Sequence, residues 1–445
     1  MDMDVGEGFE TLEEVLKKGK ELFMKRGLPL VICAALSFAA FAFSGCAPKQ
    51  PENPEPPENP YAAVDKSNLY GIVEPLWEKG NPDASNNNFQ VEGFDLDKTV
   101  NLIGALGAKS FRMMFTNGIV TNPSTMDTDL VDYFQGAITK LEAAGIKQII
   151  GMAMIFPAYT DFKPDSAYSA PHADDSNYGE WLNAVSTLWK KLASTFPKIT
   201  YWEMGNEFNS NTFFHPNGYI APAGTLDEGI NGFTKDELTE QCVNYMYYAS
   251  QGIKAGNPNA FTVMPGLTCG AGGMGSRAVE YFIEDMYGLI KSGDYPYGDT
   301  KSKNSDDYFM CLNWHPYITS GDLDPNWLTY NNDVYAVVKA NGDDGKKVFF
   351  TELGFSDLGD TGVEQRQIGF MNLAFQYAEN DMPYLESIGA FRLYECQFAA
   401  TWGGLGQINY GYFKEPANGV GFTPKAKAYA LQKIYGGTGD LTMYQ

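Results

Sequence analysis

The strongest constraint on the fold is a regular alternation of short apolar runs and helical segments that begins near Asn68. The apolar runs are compact, as parallel strands buried on both faces require. The stretches between them place apolar residues at three- and four-residue steps, which is the period of an amphipathic helix. The alternation therefore indicates parallel strands joined by helices.

Eight strands are predicted, at Leu69–Val73, Ser110–Phe115, Gln148–Met154, Thr200–Met204, Thr262–Pro265, Tyr308–Trp314, Val348–Thr351 and Ala390–Tyr394. The predicted helices are Leu96–Leu106, Leu130–Ala144, Tyr178–Phe196, Lys235–Ala255, Ser276–Ser292, Glu364–Asn380 and Lys425–Tyr435. Eight strands alternating with helices favour an α/β fold of the (β/α)8 TIM-barrel type, with a single catalytic domain over residues 61–445. A nucleotide-binding open sheet is not favoured, because no phosphate-cradling glycine motif follows the first strand.

The segment before this domain is predicted to be an export signal. Two basic residues after Met24 precede an apolar stretch over residues 27–43, which ends at Ser44-Gly45-Cys46. Small residues before a cysteine resemble a bacterial lipobox, so residues 24–46 are predicted to be a lipoprotein signal peptide with the lipid attached at Cys46. The alternative is a simple transmembrane anchor. Both alternatives place the barrel outside the cytoplasm, at the cell surface or on the outer face of a bacterial membrane.

Two further stretches flank this signal. Residues 47–60 contain six prolines among Glu and Asn, which predicts a stiff, extended linker between the anchor and the barrel. Residues 1–23 are predicted to be a mis-assigned start, with translation beginning at Met24, or a non-globular extension. An amphipathic helix over Thr11–Phe23 is the alternative.

The composition bears on the partners of the protein. The formal net charge of −23 repels phosphate backbones, so nucleic acid is not an expected partner. Aromatic residues form 14% of the chain, which suits stacking on the C–H faces of sugars, although a large apolar core also uses many aromatics. The four cysteines after Cys46 show no zinc spacing, and no cofactor or metal is predicted.

Two glutamates follow apolar strands at positions where a barrel carries its catalytic groups. Glu207 ends the stretch Trp202–Glu207 (WEMGNE) after the fourth strand, and Glu352 lies in Thr351–Gly354 (TELG) at the seventh. Catalytic residues of TIM barrels come from the C-terminal ends of strands. Two carboxyl groups facing each other across the barrel mouth are what a retaining glycosidase requires.

Both stretches resemble clan A of the glycoside hydrolases, the retaining TIM-barrel enzymes, and the resemblance covers roughly residues 68–436. It implies that Glu207 is the acid/base, that Glu352 is the nucleophile, and that Asn206 hydrogen-bonds the 2-hydroxyl of the sugar at the cleavage point. The clan often carries an arginine at the position of Arg112. Its charge would keep the nucleophile ionised.

Other strand ends supply candidate sugar-binding residues. The stretch Asn313–Tyr317 (NWHPY) resembles the clan's His-x-Tyr segment, which implies that His315 lines the sugar pocket and that Tyr317 contacts the nucleophile. Many clan members place a stacking tryptophan after the eighth strand, where this chain offers Trp402 or Tyr394. Trp77, after the first strand, is a further stacking candidate. Glu395 is an extra carboxylate at the mouth, for a sugar hydroxyl or for a structural role.

The expected function is that of a retaining β-glycoside hydrolase acting on extracellular oligo- or polysaccharide. The apparent lack of a β-sandwich favours endo-acting glucanases, mannanases or galactanases, and the long segments over residues 156–177 and 209–233 are expected to form subsites. The stretch Trp202–Glu207 also suggests exo-acting arabinofuranosidases or glucuronidases. A non-catalytic carbohydrate-binding surface lipoprotein is the alternative outside enzymology. Aldolases and lyases are disfavoured, because the strand ends show no Schiff-base lysine or metal-binding cluster.

Overall fold

The computed structural model describes most of the chain after Ala63. The described residues are 64–76, 94–115, 119–122, 125–158, 163–166, 168–220, 230–269, 278–317, 326–354, 356–395, 409–414 and 421–444. The predicted signal peptide, its Cys46, the linker, Trp77 and Trp402 lie outside these residues. Among the helices described, none is long and apolar enough to cross a membrane.

The main sheet consists of nine parallel strands. In chain order the strands of the structure are β1 (Tyr70–Val73), β2 (Ser110–Met114), β3 (Val120–Asn122), β4 (Thr125–Met126), β5 (Gln148–Met152), β6 (Ser169–Ala170), β7 (Tyr201–Glu203), β8 (His215–Pro216), β9 (Phe261–Val263), β10 (Leu267–Thr268), β11 (Leu312–His315), β12 (Val348–Gly354), β13 (Leu385–Phe391), β14 (Phe413–Lys414) and β15 (Thr423–Pro424). The main sheet has the order β10-β11-β12-β13-β1-β2-β5-β7-β9, and the other strands form three small two-stranded pairs.

The sheet closes into a barrel at the fifth strand position, where β9 and β10 lie. Strand β9 pairs with β7, and β10 pairs with β11. A parallel bridge from Val263 to Cys311 and a 3.0 Å hydrogen bond from Met264 N to Cys311 O complete the ring. Since β9 and β10 are two pieces of one interrupted strand, the ring has eight positions. The fold is a (β/α)8 barrel, as the sequence predicts.

Helices follow the barrel strands. They are α1 (Leu96–Leu106), α2 (Thr128–Ala143), α3 (Tyr178–Thr195), α4 (Lys235–Gly256), α5 (Val279–Ser292), α6 (Trp327–Ala340), α7 (Thr361–Asn380) and α8 (Ala426–Tyr435). Local residues define their ends. In α1, the Asp95 side chain accepts a hydrogen bond from Lys98 N, and Gly107 ends the helix with a left-handed φ of 89°. The strand that follows, β2, begins three residues later.

The sixth strand was predicted from Tyr308 but begins at Leu312, and larger differences from the sequence prediction concern one helix and the eighth strand. Helix α6 was not predicted, because its inner face carries the polar residue Asn331. This buried side chain accepts a 2.7 Å hydrogen bond from Trp314 Nε1 and donates one to Trp327 O, so a polar residue occupies a core position. The eighth strand was predicted over Ala390–Tyr394, which starts five residues and ends three residues too late. It runs over Leu385–Phe391 and contains Glu386, whose charge conceals the strand in the sequence.

Glu386 lies at the end of the barrel where the strands begin. It accepts hydrogen bonds from Lys347 Nζ at 3.0 Å, just before β12, and from Gln148 Nε2 at 3.1 Å, at the start of β5. Its side chain is 1% exposed. This buried ion pair belongs to the stability of the barrel, since catalytic groups of such folds lie at the opposite end.

Candidate active site

The candidate catalytic residues meet at the C-terminal end of the barrel. Arg112 belongs to β2, Asn206 and Glu207 follow β7, His315 ends β11, and Glu352 lies near the end of β12. Their side chains form one connected series: Arg112 donates to Asn206 and to Glu352, and His315 lies 3.7 Å from Glu352 and 3.0 Å from Glu207. This is the end where (β/α)8 barrels carry their chemistry.

The backbone around Glu207 is held in an unusual conformation. Glu207 has a left-handed φ of 51°, and Gly205 has a φ of 119°. A Cβ atom on Gly205 would lie 2.2 Å from the Phe208 ring, so only glycine fits there. Glu207 N donates a 2.7 Å hydrogen bond to Gly266 O, which ties this turn to the fifth barrel position. The strained turn aims the carboxyl group at the barrel mouth.

The carboxyl groups of the two glutamates lie close to each other at the barrel mouth. One carboxylate oxygen of Glu207, one of Glu352 and one ring nitrogen of His315 all lie within 4.8 Å of one another. Retaining glycosidases hold their two carboxyl groups about 5–5.5 Å apart, whereas inverting enzymes leave about 6.5–9.5 Å for a water molecule. The short separation fits direct attack by one of the two carboxylates.

Glu352 is held in its charged form. Arg112 donates a hydrogen bond to Glu352 Oε1, and the Tyr317 hydroxyl donates one to Oε2 at 2.6 Å. Burial alone would raise the pKa of Glu352, but the charges of His315 and Arg112 and these two hydrogen bonds outweigh it and lower the pKa. The pKa of Tyr317 is raised by burial and by the Glu352 charge, so its phenol keeps the proton that it donates. A carboxyl group that is kept ionised and held in place by two donors is suited to act as a nucleophile.

Glu207 has the opposite tendency. Burial raises its pKa, and the negative charge of Glu352 adds to that effect, while the hydrogen bond and charge of His315 oppose it. His315 Nδ1 lies 3.0 Å from Glu207 Oε1 and 3.7 Å from Glu352 Oε2. A raised and a lowered pKa in one carboxyl pair assign an acid and a nucleophile.

The same three side chains could also be considered as metal ligands, since each offers one ligand atom. Glu352, however, already binds the Arg112 guanidinium through one oxygen and the Tyr317 hydroxyl through the other. A metal ion there would sit beside a buried positive charge, and the raised pKa of Glu207 favours a proton on that carboxyl group. The arrangement therefore fits acid–base chemistry better than metal binding.

Asn206 is oriented by Arg112. Its Oδ1 accepts a 2.8 Å hydrogen bond from a guanidinium nitrogen. Because the amide oxygen is taken up by Arg112, Nδ2 is the group of Asn206 that can donate a hydrogen bond to a ligand. This placement suits the contact with a sugar hydroxyl that the sequence predicts for Asn206.

Glu203 is a site residue that the sequence prediction did not assign. It lies in β7 and is fully buried. Arg112 donates to both of its oxygens, from Nε at 2.7 Å and from a terminal nitrogen at 2.6 Å. The available signal was a charged residue inside an apolar strand, because a buried carboxylate requires a partner.

Tyr410 is a second such residue. Its ring meets that of Tyr317 edge-on at 5.7 Å, and a Cβ on Gly354 would lie 2.6 Å from Tyr317 and 2.7 Å from Tyr410. Burial raises the pKa of Tyr410, and the charges of Glu352 and Glu207 add to it. The hydroxyl-bearing ring thus borders the carboxyl pair. It was not assigned because it follows the eighth strand by 19 residues (391 to 410).

A buried charge cluster fixes the backbone of Tyr410. Lys427 Nζ donates to the carbonyl oxygens of Asn409 and Tyr410, both at 2.9 Å, and pairs with Asp357 at 2.9 Å. Lys425 also pairs with Asp357, and it binds Glu395 Oε1 at 2.5 Å. Burial, aided by the charge of Lys425, lowers the pKa of Lys427 to about 8.

This cluster includes Glu395, the extra carboxylate near the mouth. Lys425 engages one oxygen of Glu395, whose side chain is 9% exposed, and this contact favours the structural alternative. The prediction of Tyr394 as a sugar-stacking residue is wrong. Tyr394 is fully buried, its hydroxyl lies 2.9 Å from Thr99 Oγ1 on α1, and its ring stacks on Phe422 at 4.1 Å. The strand ends at Phe391, so Tyr394 lies beyond the barrel mouth and packs outward. Trp402 and Trp77 lie outside the described residues.

Comparisons with known proteins support the fold. No protein-family model matches the chain, and no curated protein matches it. Among solved structures, the chain is similar to a family 1 β-glucosidase from Thermotoga maritima, with a TM-score of 0.53, 12% identity, and 85% of this chain and 99% of that chain covered.

It is also similar to a family 39 glycoside hydrolase from the gut symbiont Bacteroides cellulosilyticus WH2, with a TM-score of 0.50, 14% identity and 85% of this chain covered. A third similar structure is an exo-β-1,4-mannosidase from Opitutaceae bacterium strain TAV5, with a TM-score of 0.52, 10% identity and 85% of this chain covered. The chain spans 65% and 63% of the lengths of these two proteins. At these identities the likeness establishes the barrel fold.

Proposed function

We propose that the protein is a glycoside hydrolase that cleaves β-glycosidic bonds with retention of configuration. The observation that carries this proposal is the carboxyl pair, with Glu207 of raised pKa and Glu352 of lowered pKa in close proximity at the barrel mouth. The barrel fold shared with solved glycosidases supports the same chemistry.

The proposed reaction is a double displacement. Glu352, ionised beside Arg112, attacks the anomeric carbon while Glu207 donates its proton to the departing oxygen, and a covalent glycosyl-enzyme forms. Once the leaving group departs, Glu207 is a carboxylate and removes a proton from water, which displaces Glu352. The Tyr317 hydroxyl holds the attacking carboxylate in place during both steps.

The finer proposal is endo-action on an extracellular oligo- or polysaccharide. It is supported by the segments after β5 and β7, which contact each other through the pairing of Ser169–Ala170 with His215–Pro216. Long segments after barrel strands suit the binding of several sugar units. Exo-action is the competing mode, and endo-action predicts internal cleavage of polymers before monosaccharide is released.

Export and lipid attachment at Cys46 are proposed from the sequence alone. The cell-surface location follows from the predicted signal and linker. Metabolic labelling with a radioactive fatty acid tests this directly, because the label is expected on the wild-type protein and not on a Cys46→Ser variant. Label on both would refute attachment at this residue.

The catalytic proposal is tested by assaying the purified protein against aryl β-glycosides and against plant, algal and host polysaccharides. The initial product of a cleaved substrate is expected to have the β-configuration by NMR. An initial α-product would show inversion and refute the double displacement. Binding of polysaccharide without any cleavage would instead favour a carbohydrate-capturing protein.

A further inference from the structure

The buried site contains a third carboxylate that the double displacement does not use. Glu203 is fully buried and receives two hydrogen bonds from Arg112. Its Oε1 also lies 3.2 Å from Gly266 N and 3.2 Å from Thr351 Oγ1. These partners hold the Glu203 carboxylate in one position. Burying its charge costs desolvation free energy unless the carboxylate pairs with a buried cation.

Arg112 is shared between two carboxylates. Its Nε and one terminal nitrogen face Glu203, and the other terminal nitrogen faces Glu352. The guanidinium has no exposed surface, so its single positive charge is balanced within the site. The negative charge of Glu203 offsets part of the positive charge of Arg112, so the two together favour the charged form of Glu352 less than Arg112 alone would.

We propose that Glu203 is a positioning residue, which orients Arg112 and shares its charge so that Glu352 stays basic enough to attack. This inference rests on the proposed function of Glu352 as nucleophile. Without the Glu203 charge, Arg112 would pair with Glu352 alone, and the nucleophile would be a weaker base. Glu203 itself contacts no reacting atom.

Other charged and titratable groups lie around Glu352 in the described part of the chain. They are Arg112 from β2, Glu207 from the turn after β7, His315 and Tyr317 from β11 and its following residues, and Tyr410 from the segment after β13, while Glu203 from β7 contacts Arg112. Among them only Glu203 acts on Glu352 through a shared guanidinium. A Glu203→Gln substitution changes this charge while keeping the shape of the side chain.

The test measures the pKa of Glu352 by NMR on protein labelled with carbon-13 at the glutamate carboxyls, with Glu352→Gln used for assignment. In Glu203→Gln the pKa of Glu352 is expected to fall by about one unit, because a neighbouring like charge is removed and Arg112 turns fully to Glu352. The acidic limb of the kcat/KM profile on an aryl β-glycoside is expected to shift down equally.

Two variants serve as controls. Glu203→Asp retains the charge, so the acidic limb is expected at its wild-type pH even where the rate falls. Glu386→Gln removes a comparably buried carboxylate at the other end of the barrel, and it is expected to lower stability without moving the limb. A merely structural Glu203 would lower the rate in both of its variants and leave the limb in place.

An unchanged Glu352 pKa in folded Glu203→Gln would overturn the inference, as would an equal shift in Glu203→Asp. The NMR titration requires no turnover. If the wild-type protein cleaves no glycoside, the proposed function fails, while the titration still decides whether Glu203 sets the charge state of Glu352.

Discussion

The Tyr317 hydroxyl donates a 2.6 Å hydrogen bond to Oε2 of Glu352, from a half-buried position just after the sixth barrel strand. The bond stabilises the charged form of the carboxyl group, and burial together with the Glu352 charge keeps the phenol protonated by raising its pKa. The hydrogen bond from Tyr317 therefore helps to keep Glu352, the proposed nucleophile, in its charged form.

Tyr317→Phe is expected to raise the pKa of Glu352 and to move the acidic limb of the rate profile up by about one to two units, since a hydrogen bond to a charged group contributes about 1.5–3 kcal/mol. The measurement is kcat/KM against pH on an aryl glycoside. Tyr70→Phe is the matched control, because Tyr70 also donates a 2.6 Å hydrogen bond to a glutamate, Glu379, far from the mouth. A limb that stays in place in Tyr317→Phe would separate this bond from catalysis.

The wild-type pH profile is expected to be bell-shaped. Glu352 must be charged, so the rate falls as the pH drops through its lowered pKa. Glu207 must be protonated, so the rate falls as the pH rises through its raised pKa. In Glu207→Gln the basic limb should disappear on substrates that need no proton. A basic limb that survives this change would have to be assigned to another group.

The two glutamates should respond differently to the leaving group. Glu352→Ala is expected to abolish hydrolysis of every substrate, because it removes the carboxylate that would form the covalent intermediate. Glu207→Ala should spare aryl glycosides with good leaving groups, which need little proton assistance, and lose activity on unactivated sugars. Comparing kcat/KM on both substrate types checks this. Equal losses on both types would argue against Glu207 as the acid.

The sequence predicts the barrel fold and most residues of the candidate active site. The alternating pattern predicts the barrel, and Arg112, Asn206, Glu207, His315 and Glu352 are all found together at its mouth. Strand ends are reliable for this purpose, because parallel strands deliver their last residues to one face. A polar residue at the end of a short apolar strand is therefore predicted to lie at the barrel mouth.

The misses have a common physical cause. Glu386 in β13, Asn331 in α6 and Glu203 in β7 are polar residues at buried positions, where their partners come from distant parts of the chain. A sequence pattern shows the polar residue but not the partner that makes its burial favourable. Tyr410 was missed for a related reason. Its position depends on the hydrogen bonds that Lys427, which is distant in sequence, donates to the carbonyl oxygens of Asn409 and Tyr410, a contact termed the Lys427 clamp.

That clamp leads to a prediction for Lys427→Met. The change leaves two carbonyl oxygens and part of the Asp357 charge without their buried partner, and it should lower the free energy of unfolding by about 3 kcal/mol. Because Tyr410 loses its anchor, KM should rise more than kcat falls. Chemical unfolding and steady-state kinetics measure the two effects.

Lys198→Met is the control for the clamp. Lys198 pairs with Glu142 at 2.6 Å, but both side chains are largely exposed, so its loss should have little effect on stability or KM. Similar behaviour of the two variants would show that the Lys427 cluster does not position Tyr410.

The central claim is that Glu352 is the nucleophile of a retaining reaction, and covalent trapping tests it most directly. A 2-deoxy-2-fluoro β-glycoside with a good leaving group, matched to a sugar that the enzyme hydrolyses, should inactivate the protein and add one fluoroglycosyl group to its mass. Peptide mapping should place that group on Glu352, and Glu352→Gln should remain unlabelled. A label on another residue, or continued turnover of normal substrates without any trapped intermediate, would contradict the account.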